Sequence, residues 1–276
     1  MNQDLSLNGE WELRDEPLDF GLADALELTH KQEGWIQTPV PGDVHQGLIR
    51  AGKINEPLIA LNSFECEWTE SRSWWYRKSF HIENNWLNSD LIELELNGLD
   101  SNAEIFLNGR HIGSHYNSFR PFTLDVKPWL NHGKNVLLIR LTTGIENISE
   151  ADVHSLDGII ADSSSLGVRK RRGDSRRVFV RKPQYTFGWD WSPRLATTAI
   201  AGDVKLRMLD KARIRYLRIS PEQRGKGILL SVTATIELFH YYKTTDGQLT
   251  ITLHDEYGCQ YRNSHQILLQ SGQMFV

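Results

Sequence analysis

The residues best suited to chemistry in this sequence lie in one aromatic stretch, residues 181–194, where Trp189, Asp190 and Trp191 follow one another. An indole ring is a large apolar surface that can lie against the weakly apolar C–H face of a pyranose sugar. A carboxylate such as Asp190 accepts hydrogen bonds, which the hydroxyl groups of a sugar can donate. A sugar-binding site is therefore one interpretation of this stretch, provided that its three side chains converge.

The local conformation decides whether the three side chains can meet. In an extended strand, Trp189 and Trp191 would share one face and Asp190 would take the other. Gly188 and the Ser192-Pro193 pair favour a turn instead, which would bring the three together. In the alternative interpretation, the tryptophans fill the core of a β protein and Asp190 bonds to a nearby backbone amide, because buried aromatic residues dominate cores. Both interpretations stay open, and the residues alone favour the core interpretation.

Composition limits the class of protein. The 276 residues are 39% hydrophobic and 24% charged, with a formal net charge of -4. This balance is typical of a soluble globular protein and not of a disordered, fibrous or membrane protein. No segment approaches the roughly 18 consecutive apolar residues of a membrane-spanning helix. We also see no cluster of residues with metal-ligand spacing, so we expect neither a metal nor another cofactor.

Two features bear on the cellular location. Residues 1–7 carry no basic region followed by an apolar core, so no secretory signal is visible. Cys66 and Cys259 lie far apart in the sequence and are expected to be free thiols. We therefore expect a cytoplasmic location.

Strand signals run through the first 210 residues. Alternating apolar side chains predict strands at residues 8–13 and 91–98, and residues 135–141 extend the series. The pair Asn108-Gly109 predicts a tight hairpin. A short surface helix is expected within residues 19–32. Strands at this spacing predict an antiparallel sandwich or jelly roll.

Two segments interrupt the strand pattern. Residues 34–45 contain Pro39, Pro41 and Gly42, which disfavour ladder pairing, so we expect an ordered loop in which His45 is structural and not catalytic. Residues 169–177 are strongly basic and could form a nucleic-acid patch. Because the chain as a whole is acidic, we favour a solvated or ligand-covering loop and expect no nucleic-acid partner.

A second, smaller all-β domain is expected at residues 211–276. Strands are predicted at residues 227–237, 249–253 and 266–270, with a turn at Asp246-Gly247. The segment has about 65 residues, fewer than the roughly 100 of an immunoglobulin-like sandwich. We therefore expect an immunoglobulin-like domain that is incomplete at its carboxyl end.

The order of these landmarks resembles the front part of the family 2 glycoside hydrolases and, within that family, the β-mannosidases. Five segments carry the resemblance: residues 9–11, 39–45, 75–80 and 107–109, and above all the Arg-Lys-Pro-Gln-Tyr-Thr-Phe-Gly-Trp-Asp-Trp sequence of residues 181–191. The last segment is the most specific, and the others recur in β-galactosidase and β-glucuronidase relatives.

The resemblance implies an architecture and a function. It implies a jelly-roll, galactose-binding-like sandwich at residues 1–210, a partial immunoglobulin-like sandwich at 211–276, and then a (β/α)8 barrel that lies beyond this chain. The barrel would carry the two catalytic glutamates of a retaining glycosidase. No catalytic residue is therefore expected in this chain, and the substrate would be a β-mannoside. The resemblance further implies that Asp190 binds hydroxyl groups of the terminal sugar. Trp189 and Trp191 would either form walls of that pocket or pack in the core.

Two departures from the β-mannosidase pattern bear on the sugar preference. Ser192 occupies a usual glycine position, and Ala199-Ile200-Ala201 replaces the usual Gly-Ile-Trp. The alternatives are a family 2 hydrolase with β-galactosidase or β-glucuronidase specificity and a stand-alone carbohydrate-binding module.

Overall fold

The computed structural model describes residues 3–156, 173–225, 227–239, 244–254 and 256–270. The strands are β1 (Gln3–Ser6), β2 (Gly9–Pro17), β3 (Ile36–Val40), β4 (Gly42–Asp43), β5 (Arg72–Ile82), β6 (Leu91–Leu96), β7 (Leu99–Asp100), β8 (Asn102–Leu107), β9 (Arg110–His115), β10 (Phe122–Asp125), β11 (Gly133–Thr142), β12 (Phe187–Trp189), β13 (Ser192–Arg194), β14 (Ala199–Ile200), β15 (Val204–Leu209), β16 (Ala212–Arg224), β17 (Gly227–Leu238), β18 (Thr244–His254) and β19 (Gln260–Gln270). The α-helices are α1 (Ala25–His30), α2 (Val44–Arg50), α3 (Asn62–Glu65), α4 (Asn84–Leu87) and α5 (Glu150–Ser155). Short 3-10 helices occupy Leu22–Asp24, Glu67–Ser71, Lys127–Trp129, Ser175–Phe179 and Gln184–Thr186.

The chain divides into two compact units. The larger comprises Asp4–Leu87 and Ile92–Arg207, and the smaller comprises Met1–Gln3, Asn88–Leu91 and Met208–Val276. The predicted all-β class is confirmed by the strands of both units. The expected boundary at residue 210 and the immunoglobulin-like character of the second part stay predictions.

Two main sheets form the larger unit. One has six strands in the order β3-β2-β5-β11-β8-β9, and the other has four in the order β1-β15-β6-β10. The alternation seen in the sequence is confirmed, since Ile92, Leu94 and Leu96 of β6 are all buried. A third sheet has three short strands in the order β4-β14-β7. This small sheet brings residues from three distant parts of the chain together near the candidate site.

Strand β5 is buried on both faces. Trp74, Trp75 and Tyr76 are each at most 1% exposed, although neighbouring side chains of a strand point to opposite sides. Helix α1 covers one of the two faces, where Leu28 packs in a cluster with Trp75 and Phe106. Burying a large apolar side chain of this kind contributes about 1.5–3 kcal/mol. The run of three aromatic residues thus belongs to a central strand and is not an amphipathic edge.

The hairpin predicted at Asn108-Gly109 is confirmed. Strands β8 and β9 flank these residues, whose φ angles of 53° and 78° suit the tight turn that joins two strands. The Asn108 side chain also donates to the Trp129 carbonyl at 2.9 Å and to the Asn135 side chain at 2.8 Å.

The loop predicted at residues 34–45 is wrong. Strand β3 pairs with β2 and places Pro39 opposite Glu10. Because β3 is an edge strand, the missing N–H of a proline need not remove a ladder bond. Helix α2 then begins at Val44, and the Asp43 side chain caps it by accepting from the Gln46 N–H at 3.0 Å. His45 is buried in this helix with its Nε2 atom 3.3 Å from the Thr69 hydroxyl, which agrees with a structural role.

The smaller unit contains two long hairpins, β16-β17 and β18-β19. The turn predicted at Asp246-Gly247 is wrong, because both residues lie inside β18, opposite Leu268 and Ile267. In the described segments no helix combines the length and apolarity that crossing a bilayer requires.

Candidate functional site

The predicted sugar-binding residues lie at the tip of a hairpin formed by β12 and β13. Trp189 pairs with Ser192, so Asp190 and Trp191 form the two-residue turn between the strands. Gly188 precedes the turn with a φ of 98°, a conformation that residues with a side chain rarely adopt. Of the two local conformations that the sequence allowed, the turn is the one found.

The tip of this hairpin is exposed to solvent. Trp189 is 45% exposed and Trp191 is 71% exposed, and Asp190 between them is also exposed. The ring of Trp191 lies against Tyr185, with 5.2 Å between ring centroids. The Asp190 carboxylate accepts no hydrogen bond from the part of the chain that the structure describes. The tip is therefore not a core plug, and its aromatic and carboxylate groups face outward.

The base of the hairpin is buried around Phe187. This ring is fully buried and clusters with Ile145 and Ala196. Two cations approach it, since the Lys182 Nζ lies 5.4 Å from the ring centroid and the Arg194 Cζ lies 5.8 Å from it. Both distances are within the range of a cation–π interaction.

Arg194 is held by two carboxylates. Its Nε lies 3.0 Å from Glu70 and its Nη2 lies 3.1 Å from Asp174, and all three side chains are at most 11% exposed. Burial alone would raise the pKa of Asp174, but hydrogen bonds from Arg176 and Arg194 outweigh it and lower the pKa to about 2. This network ties strand β13 to distant parts of the chain.

Lys182 holds the segment that enters the hairpin. Its side chain is fully buried, with Nζ 3.2 Å from the Asp100 carboxylate and donating to the Thr197 carbonyl at 2.6 Å. Burial lowers the pKa of Lys182, and Asp100 opposes that change. Asp100 also accepts from the hydroxyl groups of Ser118 and Thr197 at 2.9 and 2.6 Å.

A cleft of about 520 Å³ opens beside the hairpin. Tyr185 forms part of its wall, whereas Trp189, Asp190 and Trp191 do not line it. Its floor is the sheet β4-β14-β7, in which Ala199 pairs with Asp43 on one side and with Asp100 on the other.

The basic run is only partly within the described residues. Residues 169–172 lie outside them. Arg176 bonds to Asp174 at 2.8 Å, and the buried Arg177 donates to the Asp174 carbonyl at 3.0 Å. These two arginines therefore bond to Asp174 within the protein. Among the described residues, no three His, Cys, Asp or Glu side chains are grouped so that they could hold a metal ion.

Sequence reasoning assigned no role to Lys182, Arg194, Glu70 or Asp174. The first two lie in the aromatic stretch on either side of Phe187, but the burial that pairs them with carboxylates is a property of the folded chain. Glu70 and Asp174 carry no local signal, because their partner is distant in the sequence.

Comparison with known proteins gives one family. Residues 24–202 match the family model described as glycosyl hydrolase 2 galactose-binding domain-like. The chain is 29% identical over 225 residues to Beta-mannosidase B of Aspergillus niger. This alignment covers 80% of this chain and 26% of that protein. It is 25% identical over 219 residues to the Beta-mannosidase of Bos taurus. That alignment covers 79% of this chain and 23% of that protein.

A crystal structure of Beta-D-Mannosidase from Dictyoglomus thermophilum superposes with a TM-score of 0.76 at 30% identity, covering 99% of this chain and 31% of that chain. A Bacteroides uniformis beta-glucuronidase superposes with a TM-score of 0.63 at 15% identity and is alike in fold alone. The predicted galactose-binding-like β-sandwich is thus confirmed. The chain spans 23–31% of the length of the three mannosidases named above.

Proposed function

Because this chain belongs to glycoside hydrolase family 2, we propose that it is the amino-terminal, non-catalytic part of a β-mannosidase. The complete enzyme would remove terminal β-D-mannose from the non-reducing end of a glycan. The role of this chain would be to complete the sugar pocket, while the catalytic groups lie in a barrel outside it.

The exposed carboxylate of Asp190 carries the proposal. It lies between two exposed indole rings at the tip of a hairpin whose base is fixed by buried ion pairs. A carboxylate without a partner can accept hydrogen bonds from two sugar hydroxyls, and charge-assisted bonds of this kind are the strong ones. Trp189 and Trp191 would shield those bonds from water and contact the sugar ring.

The cleft beside the hairpin does not offer the pair of groups that glycoside hydrolysis needs. Glycoside hydrolysis needs one protonated carboxyl group and one carboxylate. The charged residues that line the cleft are Asp43 and Asp100. Asp100 is ion-paired with Lys182. Burial alone would raise the pKa of Asp43, but the His45 side chain and the Gln46 N–H lower it. Neither group is therefore placed to donate a proton to a leaving sugar.

The proposal is tested by assaying the longest product of the source gene beside the 276-residue chain. We expect the longer protein to hydrolyse p-nitrophenyl β-D-mannoside in preference to the β-galactoside and β-glucuronide, and the 276-residue chain to hydrolyse none of them. A preference for the galactoside or glucuronide would replace the mannosidase assignment with one of those specificities. A gene that stops after residue 276 would contradict the enzyme assignment and favour a stand-alone binding module.

The cytoplasmic location expected from the sequence stays a prediction. Fractionation of the source cells followed by immunodetection of the protein would test it.

A further inference from the structure

The residues that line the cleft beside the hairpin all belong to the larger unit. Asp43 and Asp100 pair with the same residue, Ala199, from opposite sides. Directly opposite residues of antiparallel strands project to the same face, so the two carboxylates flank the small Ala199 side chain. Ala201 and Gly98 also line the cleft, and their small size leaves it open. Its volume of 520 Å³ falls within the range of about 300–1,000 Å³ that ligand pockets occupy.

The walls of the cleft combine apolar rings with polar groups. Phe119 is 67% exposed and Tyr185 is 46% exposed, and Pro41 and Pro183 add further apolar surface. Gln46 contributes an amide among them. Apolar faces with a few fixed polar groups are the usual composition of a small-molecule site.

The charges of the cleft select against anions. Asp43 and Asp100 are the charged residues among those lining it, and because Asp100 is paired with Lys182, Asp43 supplies the negative charge that disfavours an anion. One Asp43 oxygen accepts from the Gln46 N–H, while the other lies 3.9 Å from the His45 ring nitrogen, too far for a hydrogen bond. That second oxygen can accept a bond from a ligand hydroxyl.

We propose that this cleft is a second saccharide site, which binds a neutral oligosaccharide independently of Asp190. Sugar rings lie against Tyr185 and Phe119, and a hydroxyl group donates to Asp43. The site goes beyond the proposed function, because its contacts include neither Asp190 nor the catalytic groups. Tyr185 joins it to the hairpin tip, since its ring also contacts Trp191.

The test is a titration of the isotope-labelled 276-residue chain with β-1,4-mannobiose, followed by NMR. We expect saturable shifts that include the amide of Tyr185. Ala201→Trp places an indole in the cleft and should weaken binding at least about tenfold, or 1.4 kcal/mol. The matched control is Ala151→Trp on exposed helix α5, which should leave binding unchanged.

Two further variants separate this site from the hairpin tip. Phe119→Ala removes an exposed ring and should weaken mannobiose binding several-fold without unfolding the chain, whereas Asp190→Ala should retain the binding. The absence of saturable shifts would overturn the proposal, and so would binding that Asp190→Ala abolishes while Ala201→Trp leaves it intact. Equal binding of glucuronic acid would overturn the selection for neutral sugars. None of these binding results depends on hydrolysis. The mannosidase assignment is tested separately, by the hydrolysis assay described above.

Discussion

The tip and the base of the β12-β13 hairpin differ in almost every physical property. At the tip, Trp191 is 71% exposed and Asp190 has no hydrogen-bond partner among the described residues. At the base, Phe187 is fully buried between two cations, and each of those cations is bound to a carboxylate. The two regions are separated by only a few residues of the same hairpin.

This difference separates the groups at the base, which have a structural role, from the groups at the tip, for which we propose a binding role. Charged groups at the base satisfy one another, so their bonding capacity is used inside the protein. The Asp190 carboxylate at the tip makes no such bond among the described residues, which suits its proposed role in sugar binding. A site works best when rigid elements hold it, and the buried base supplies that support.

The largest expected effect is on the free energy of unfolding. It is measured by truncating one aromatic side chain in each region, Phe187 at the base and Trp191 at the tip. Phe187→Ala should lower the free energy of unfolding by about 3–5 kcal/mol, because it opens a cavity in a packed cluster. Trp191→Ala should lower it by no more than about 0.5–1.5 kcal/mol, the contribution of an aromatic pair such as that with Tyr185. Urea denaturation followed by circular dichroism gives both values. Equal losses would remove the distinction between tip and base.

The next effect concerns the buried cation below the hairpin. Lys182→Met leaves the Asp100 carboxylate buried beside an apolar group and should cost about 3 kcal/mol of unfolding free energy. Lys53→Met is the matched control at an exposed position and should change stability by less than about 0.5 kcal/mol.

Adding Asp100→Asn to Lys182→Met should recover part of the loss, because the uncompensated charge is then absent. If the double variant is no more stable than Lys182→Met, the Lys182–Asp100 ion pair does not explain the loss.

The smallest expected effect depends on pH. Asp174 has a pKa of about 2 in the folded protein against an ordinary value of 3.8, so its contribution to stability is present above 3.8 and is lost as the pH falls towards 2. Asp174→Asn should therefore cost about 1 kcal/mol at pH 7, as for a lost hydrogen bond, and much less at pH 2.5. Unfolding curves of this variant and of Asp19→Asn, an exposed control, at both pH values provide the test. A cost that is independent of pH would mean that the carboxylate charge is not what stabilises the base.

Much of the fold could be predicted from local patterns. The alternation in β6 and the turn at Asn108-Gly109 each depend on neighbouring residues, and both predictions are confirmed. The turn at the hairpin tip was also foreseen from Gly188 and its neighbours. The error at Pro39 arose because a proline is tolerated in an edge strand, and edge position is a property of the whole sheet. The turn predicted at Asp246-Gly247 was wrong for a similar reason. Glycine favours a turn locally, but Gly247 lies in a strand and pairs with Ile267.

The site could be predicted only in part. Asp190 and its flanking tryptophans stand out by residue type, whereas the exposure that makes them available depends on tertiary structure. The partners of Arg194 could not be found from sequence, because Glu70 is 124 residues away along the chain. The cleft likewise depends on a sheet that joins Asp43, Asp100 and Ala199 from separate segments.

The central claim, that the base supports a tip made for sugar binding, is tested most directly by Asp190→Ala in the longest product of the source gene. We expect kcat/KM for p-nitrophenyl β-D-mannoside to fall by about tenfold to a hundredfold, the loss of a hydrogen bond to a charged group. The free energy of unfolding should stay within about 0.5 kcal/mol of the unsubstituted protein, and Asp19→Ala should change neither quantity. An unchanged kcat/KM, or a fall that Asp19→Ala reproduces, would contradict the account.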